Sequence, residues 1–228
     1  MIPSHAAPSA ELLRSLGRLV RGLSAIFWGL PVSLFVCVKM AMTEWARPFY
    51  LLGPIISTAS ILYGLHLLGG FQKQERIWIH ALDRAKFAAL ATVGLSPFVF
   101  WWGQMPGETF FQYAIGVFLL SGLLLIFNLN LVLRRLAAML PDETLRHETN
   151  LFGAVNHVLL MGMLIVPLAY GILQRMPTLP SFLITTLVLL ENARFAILLL
   201  FFLIPLAMTM TLTWKIKEAV FTSVFQPD

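Results

Sequence analysis

The sequence predicts an all-α membrane protein, a polytopic bundle of six transmembrane helices without a separate soluble domain. Of its 228 residues, 58% are hydrophobic and 12% are charged, and the mean hydropathy is +0.82. Soluble domains carry about twice that share of charged residues. Crossing a hydrocarbon core of about 30 Å takes roughly 20 apolar residues. Six runs approach or exceed this length, at residues 24–43, 49–70, 86–102, 110–133, 151–173 and 183–214.

The polar segments between these runs are too short to form a soluble domain. The longest lie near residues 71–86 and 134–150, and neither can bury a core of its own. We therefore divide the chain into a tail at 1–23, a membrane domain at 24–214 and a second tail at 215–228. The first run is full length, which is more typical of an uncleaved anchor than of a signal peptide.

Basic residues are distributed asymmetrically between the two sides of the predicted bundle. If the runs alternate in direction, twelve lysines and arginines fall on one side and two on the other. The positive-inside rule places the richer side in the cytoplasm. We expect a multi-pass protein of a bacterial plasma (inner) membrane with both termini cytoplasmic. The net charge of +5 suits anionic lipid headgroups, and we expect no nucleic acid partner. The two basic residues on the opposite side are Arg47 and Arg175.

Prolines recur in a pattern that predicts three repeated helical hairpins. Each odd-numbered run contains a proline, and the short turn that follows it contains another. Internal repeats of this kind are common in transporter folds, although proline is also simply frequent in membrane helices. The six prolines are Pro31, Pro97 and Pro167 in the runs, and Pro48, Pro106 and Pro177 in the turns.

The first tail has an amphipathic pattern. In "SAELLRSLGRLVRGL", residues 9–23, Ser9 stands where a helix N-cap belongs, and leucines recur at helical spacing with arginines between them. Helices of this kind lie in the plane of the membrane interface. The sequence therefore predicts an N-terminal amphipathic helix on the inner surface of the membrane.

Three charged residues stand inside apolar runs: Lys39 in the first, and Glu191 and Arg194 in the last. A charge at the bilayer centre costs about 2.5–3.5 kcal/mol, so such residues are usually paired or functional. Counting back about 20 residues from Lys215 places Glu191 and Arg194 at the outer interface, on one helical face. If the last span is instead long and bent at Pro205, Glu191 moves inward and forms an interhelical lock with Lys39. A role in substrate or ion coupling is the alternative.

Five polar residues fall at one predicted depth, about 5–9 Å inside the inner boundary. Amides and imidazoles at such a level hydrogen-bond across helices and fix their register. The alternative is a cytoplasm-facing cavity that binds a substrate, with the histidines as proton carriers. The two asparagines of "NLN" lie about 200° apart on a helix, so both cannot face one cavity equally. The five residues are His66, Asn128, Asn130, Asn156 and His157.

The sequence lacks the patterns of common membrane enzymes. Its only aspartates, Asp83, Asp142 and Asp228, lie outside the runs, so no acidic cluster is available to hold magnesium. Cys37 is the only cysteine, which excludes an internal disulfide and a multi-thiolate metal site. Neither a zinc-protease motif nor a serine nucleophile elbow occurs. We expect no catalytic residue, no metal and no cofactor.

These observations favour a non-enzymatic accessory or scaffold subunit. The apolar segment 181–190 extends beyond the length of one span, so it must be buried by tilt, by the headgroup layer or by another protein. The expected partners are the lipid bilayer and a membrane protein or a second copy of this chain. The alternative is a transporter of a small solute or lipid, with the polar layer and the charged group at the two ends of its path.

Overall fold

The computed structural model describes residues 10–42, 51–72, 74–140, 142–173 and 181–225. Over these ranges the chain is all-helical, without a strand. The turns at 43–50 and 174–180, which contain Pro48 and Pro177, lie outside the described residues. The helices are α1 (Ala10–Met42), α2 (Leu52–Leu68), α3 (Arg76–Leu95), α4 (Phe98–Gln104), α5 (Thr109–Met139), α6 (Glu143–Leu173) and α7 (Ser181–Phe225).

Four described segments are long and apolar enough to cross a membrane. Helix α2 is shorter, with 17 residues, and spans about 25 Å. These lengths confirm the predicted all-α class and its several apolar helices of membrane-spanning length. The four segments are Leu13–Met42, Arg76–Gln104, which joins α3 and α4, Thr109–Met139 and Glu143–Leu173.

The amphipathic N-terminal segment is not a separate surface helix. It continues without a break into the first predicted span, so that α1 is one helix of 33 residues. Leu19 and Leu23, on its predicted apolar face, are fully buried in the core of the bundle. The expectation of an interfacial helix differs from the structure because these leucines pack against other helices rather than against lipid.

The predicted cytoplasmic connections are largely helical as well. Helix α3 begins at Arg76, and Trp78 in its first turn is fully buried with its Nε1 donating to the Phe71 carbonyl at 3.0 Å. Helix α6 begins next to Asp142, whose Oδ1 accepts the Leu145 N–H at 3.0 Å and caps the helix. The helices therefore extend beyond the apolar runs on this side.

Helix α7 is a single element of 45 residues, about 68 Å long. The segment 181–190 is its first part, continuous with the predicted last span. Pro205 lies inside α7, where its ring nitrogen cannot donate the usual helix hydrogen bond. The structure therefore excludes a separate surface helix at 181–190.

Helices that follow one another along the chain also pack together. The most extensive contacts join α1 to α2, α3 to α5, and α6 to α7. Contacts of α2 with α3, of α5 with α6 and of α7 with α1 close the bundle. The rings of Phe27 on α1 and Trp214 on α7 have centroids 5.4 Å apart. We call the end where α1 begins and α7 ends the terminal end, and the opposite one the far end.

The largest fully buried side chains lie in the half of the bundle nearer the terminal end. They contribute a leucine-rich core from five helices, α1, α2, α3, α5 and α7. Outward-facing large apolar residues are exposed along the whole bundle, for example Trp28, Tyr113 and Leu168 at 64%, 73% and 65%. Apolar surface this extensive is typical of helices that face lipid. The buried set is Leu19, Leu23, Ile26, Leu65, Leu68, Trp78, Leu82, Leu129, Leu133, Leu136, Leu212 and Ile216.

Candidate functional site: an apolar cavity above a buried polar network

The half of the bundle nearer the far end contains a cavity of about 290 Å³. Side chains of α1, α2, α3, α4, α5 and α7 line it. Leu30, Ile61 and Leu125 form part of its wall, and Trp102 contributes an indole. We call it the central cavity because six helices bound it; it is partly open, since its lining residues Val38 and Leu119 are 45% and 50% exposed.

Small side chains create this space. Ala41 and Gly122 stand on the wall, where larger residues would fill the volume. A Cβ atom added at Gly122 would meet no other atom within 4 Å. The cavity is thus a consequence of residue size at particular positions on α1 and α5.

The hydroxyl groups of the wall are already bonded to backbone. Ser33 donates to the Leu30 carbonyl at 2.9 Å, Thr58 to the Pro54 carbonyl at 2.7 Å, and Thr92 to the Ala88 carbonyl at 2.9 Å. Each hydroxyl therefore uses its proton within its own helix. The wall accordingly suits a hydrocarbon guest.

A buried polar network lies one helical turn from this cavity. Ile126 and Leu206 line the cavity, and Asn130 and Thr209 follow them by four and three residues. Asn130 is 7% exposed, whereas Asn156 and Thr209 are 0% exposed. The network therefore sits between the cavity and the closely packed core of the terminal half.

One threonine oxygen joins the three helices of this network. The Nδ2 groups of Asn130 and Asn156 donate to Thr209 Oγ1 at 2.9 and 3.0 Å. Thr209 Oγ1 donates in turn to the Pro205 carbonyl at 2.7 Å, which also accepts from Asn156 at 3.3 Å. Asn130 makes a further bond to the Ile126 carbonyl at 2.8 Å. Helices α5, α6 and α7 are tied together beside Pro205.

In each amide of the network the nitrogen donates hydrogen bonds, whereas the oxygen has no donor among the described residues. Asn130 Oδ1 and Asn156 Oδ1 are buried and accept no hydrogen bond from the described residues. Buried amide oxygens usually have a donor. These oxygens face away from the bonds that Nδ2 makes, so the network holds α5, α6 and α7 together through its nitrogens alone.

The structure separates the five residues of the predicted polar layer. Asn130 and Asn156 meet through Thr209, whereas Asn128 donates to the Leu124 carbonyl of its own helix at 2.7 Å. The separation of the two asparagines around the helix buries Asn130 and leaves Asn128 half-buried. His66 and His157 are exposed, and the ring of His157 is tilted by 47° against that of Phe127, with centroids 5.2 Å apart.

Sequence reasoning missed Thr209, the residue that connects the network. The signal was present in "MTMTLTW", where Thr209 and Thr213 are four residues apart on one helical face. Both are fully buried, and Thr211 between them is exposed. A threonine pair at this spacing within an apolar run indicates a helix face turned toward other helices.

The predicted charged group is described only in part. Lys39 is exposed, and its Nζ lies 5.8 Å from the ring centroid of Phe35, one turn earlier on α1. The side chains of Glu191 and Arg194 lie outside the described residues. Their outer-interface pair, and the lock with Lys39, stay predictions.

Basic side chains gather at the terminal end. Lys215 on α7 forms an ion pair with Glu148 on α6 at 2.5 Å, and Lys217 lies 3.9 Å from the Trp214 ring centroid. Among the residues with described side chains, no group of three histidines, cysteines or acidic residues is placed to hold a metal ion.

Comparison of the chain with protein-family models, curated proteins and solved structures gives no match.

Proposed function

We propose that this chain is a membrane protein that binds the hydrocarbon part of a lipid, or another apolar molecule, in its central cavity. The observation that carries this proposal is the apolar wall of the cavity, to which six helices contribute. A dry apolar cavity of about 150 Å³ is large enough to bind benzene. The volume of about 290 Å³ therefore accommodates a longer segment of hydrocarbon.

The proposal includes six membrane spans with both termini in the cytoplasm. Four long apolar segments, the shorter α2 and the 45-residue α7 supply six candidates. The basic residues of the terminal end supply the orientation through the positive-inside rule. We further propose three repeated hairpins, supported by the pairing of α1 with α2, α3 with α5, and α6 with α7.

Filling the cavity tests the binding proposal. Gly122→Leu places an isobutyl group in open space on the wall, and Gly116→Leu places the same group on an exposed position of the same helix. Native mass spectrometry after gentle removal of detergent should show lipid retained by the wild type and by Gly116→Leu. Gly122→Leu should retain less. Equal retention by both variants, or none by the wild type, contradicts the proposal.

The native thiol provides a second readout. Cys37 lines the cavity and is 7% exposed. We expect an apolar maleimide to alkylate it slowly while lipid is bound and faster after delipidation. Labelling that does not respond to delipidation argues against occupancy of this cavity.

An accessory or scaffold role is the second candidate, and the exposure of α6 favours it. Only 12% of the most apolar 18-residue segment of α6 is buried within the chain, against 28–39% of the corresponding segments in the other three candidate spans. Such a face is available to a second membrane protein. Purification in mild detergent followed by mass spectrometry tests this role, and a stoichiometric protein partner would support it. A lone chain carrying lipid supports the first candidate.

A further inference from the structure

A groove between α2 and α3 is separate from the central cavity. Its volume is about 550 Å³, and it opens on the lateral surface of the bundle. Tyr63 and Phe87, two of its lining residues, are 59% and 75% exposed. Toward the far end its lining is apolar and includes Ala59, Leu62 and Leu90. A molecule in this groove would therefore contact both the protein and the surrounding bilayer.

The end of the groove nearer the terminal end is basic. His66 and Lys86 line it there. Lys86 Nζ lies 3.2 Å from the position that a Cβ atom would take at Gly69, the C-cap of α2. Arg18 approaches the next residue, since its Nη1 lies 3.4 Å from the corresponding position at Gly70. Two basic side chains and an imidazole thus surround the end of α2.

One acidic group modifies this cluster. Asp83 Oδ1 lies 3.8 Å from Lys86 Nζ, and its side chain is 61% exposed. An ion pair this open to solvent is weak, so an incoming anion competes with Asp83 for Lys86. With Arg18 and Lys86 against Asp83, the local charge is positive.

We propose that this groove binds one anionic glycerophospholipid of the adjacent leaflet. Its phosphate would lie at Lys86 and His66, and an acyl chain would follow Ala59, Leu62 and Leu90. A basic end joined to an apolar trough matches an amphiphile, and basic pockets between membrane helices bind anionic headgroups. Tyr63 stands between the two parts, where aromatic side chains border the headgroup level. The proposal does not rest on the central cavity.

The test compares nanodiscs of phosphatidylcholine with and without added phosphatidylglycerol. The number of phosphatidylglycerol molecules retained by the full chain is measured by native mass spectrometry. Lys86→Gln should weaken this binding about five-fold, the usual effect of one lysine near an anionic headgroup. Asp83→Asn should strengthen it, because it removes the competing carboxylate. The matched control is Arg135→Gln, which removes an exposed cation of α5.

Three results would overturn the proposal. Equal losses in Lys86→Gln and Arg135→Gln would show a general charge effect rather than a site. Equal retention of both lipids by the wild type would remove the anionic preference. Displacement of phosphatidylglycerol by inorganic phosphate alone would show that the basic cluster binds a free anion rather than a lipid. Ala59→Phe keeps every charge and fills the trough, so unchanged binding in this variant would exclude the acyl-chain part.

Discussion

Asn156 Nδ2 on α6 lies 3.0 Å from Thr209 Oγ1 on α7, and both side chains are completely buried. Between packed membrane helices no water competes for such a bond, so it fixes the register of one helix against the other. Asn130 donates to the same oxygen at 2.9 Å. A single hydroxyl therefore sets the relative position of α5, α6 and α7 beneath the cavity.

Thr209→Val should destabilise the bundle by about 1–3 kcal/mol, because it leaves two buried amide groups without their common acceptor. Valine has nearly the same shape, so packing changes little. The measurement is the free energy of unfolding in mixed micelles. Thr211→Val is the matched control, since Thr211 is exposed and donates to the Ala207 carbonyl of its own helix at 2.9 Å. Equal destabilisation by the two variants would refute the role of the network.

Two adjacent residues of α6 should respond differently to leucine. Asn156→Leu removes bonds to Thr209 and to the Pro205 carbonyl, and we expect a loss of about 1–2 kcal/mol. His157→Leu should change stability by less than about 0.5 kcal/mol, because the imidazole is exposed. Thermal unfolding of both variants in one detergent gives the comparison. A loss of lipid binding in His157→Leu with stability unchanged would support the alternative in which the histidines line a substrate-binding cavity.

The close approach of α1 and α2 should make Gly64 intolerant of a methyl group. A Cβ at Gly64 would lie 2.8 Å from the backbone oxygen of Gly22 and 2.7 Å from Ile26 Cγ1. The backbone oxygen cannot move without separating the helices, so we expect Gly64→Ala to cost about 1–3 kcal/mol. Gly116→Ala, in open space, should be neutral or stabilising by up to about 1 kcal/mol. Denaturant titrations that rank the two variants in the opposite order would contradict this packing.

The proposed orientation predicts which turns are accessible from outside the cell. In a Cys37→Ser background, Gln74→Cys marks the turn before α3, and Gly107→Cys marks the turn before α5; both positions are exposed. A membrane-impermeant thiol reagent added to intact cells should label Gly107→Cys and spare Gln74→Cys. Permeabilised cells should show labelling at both positions. The reverse pattern in intact cells would invert the orientation.

Local composition was enough to predict the helical class and most helix positions. Runs of apolar residues indicate membrane-spanning helices because unpaired backbone groups are too costly in hydrocarbon. Asn130 and Asn156 were found for a related reason, since amides within such runs need a partner. The amphipathic, mixed-charge pattern of residues 75–86 and 141–150 also predicted helical connections, which α3 and α6 extend into. The burial of Trp78 and the capping by Asp142 were not predicted, because hydropathy does not show such contacts.

The sequence by itself determined the all-α class and the apolar helices, since each depends on residue type along one helix. Only the tertiary structure decided that Leu23 is buried, that His66 is exposed and that Thr209 is shared by two asparagines. Lipid tails are as apolar as leucine, so hydropathy cannot tell which face of a membrane helix meets lipid and which meets another helix. The cavity at Gly122 likewise depends on residues of six helices meeting in space.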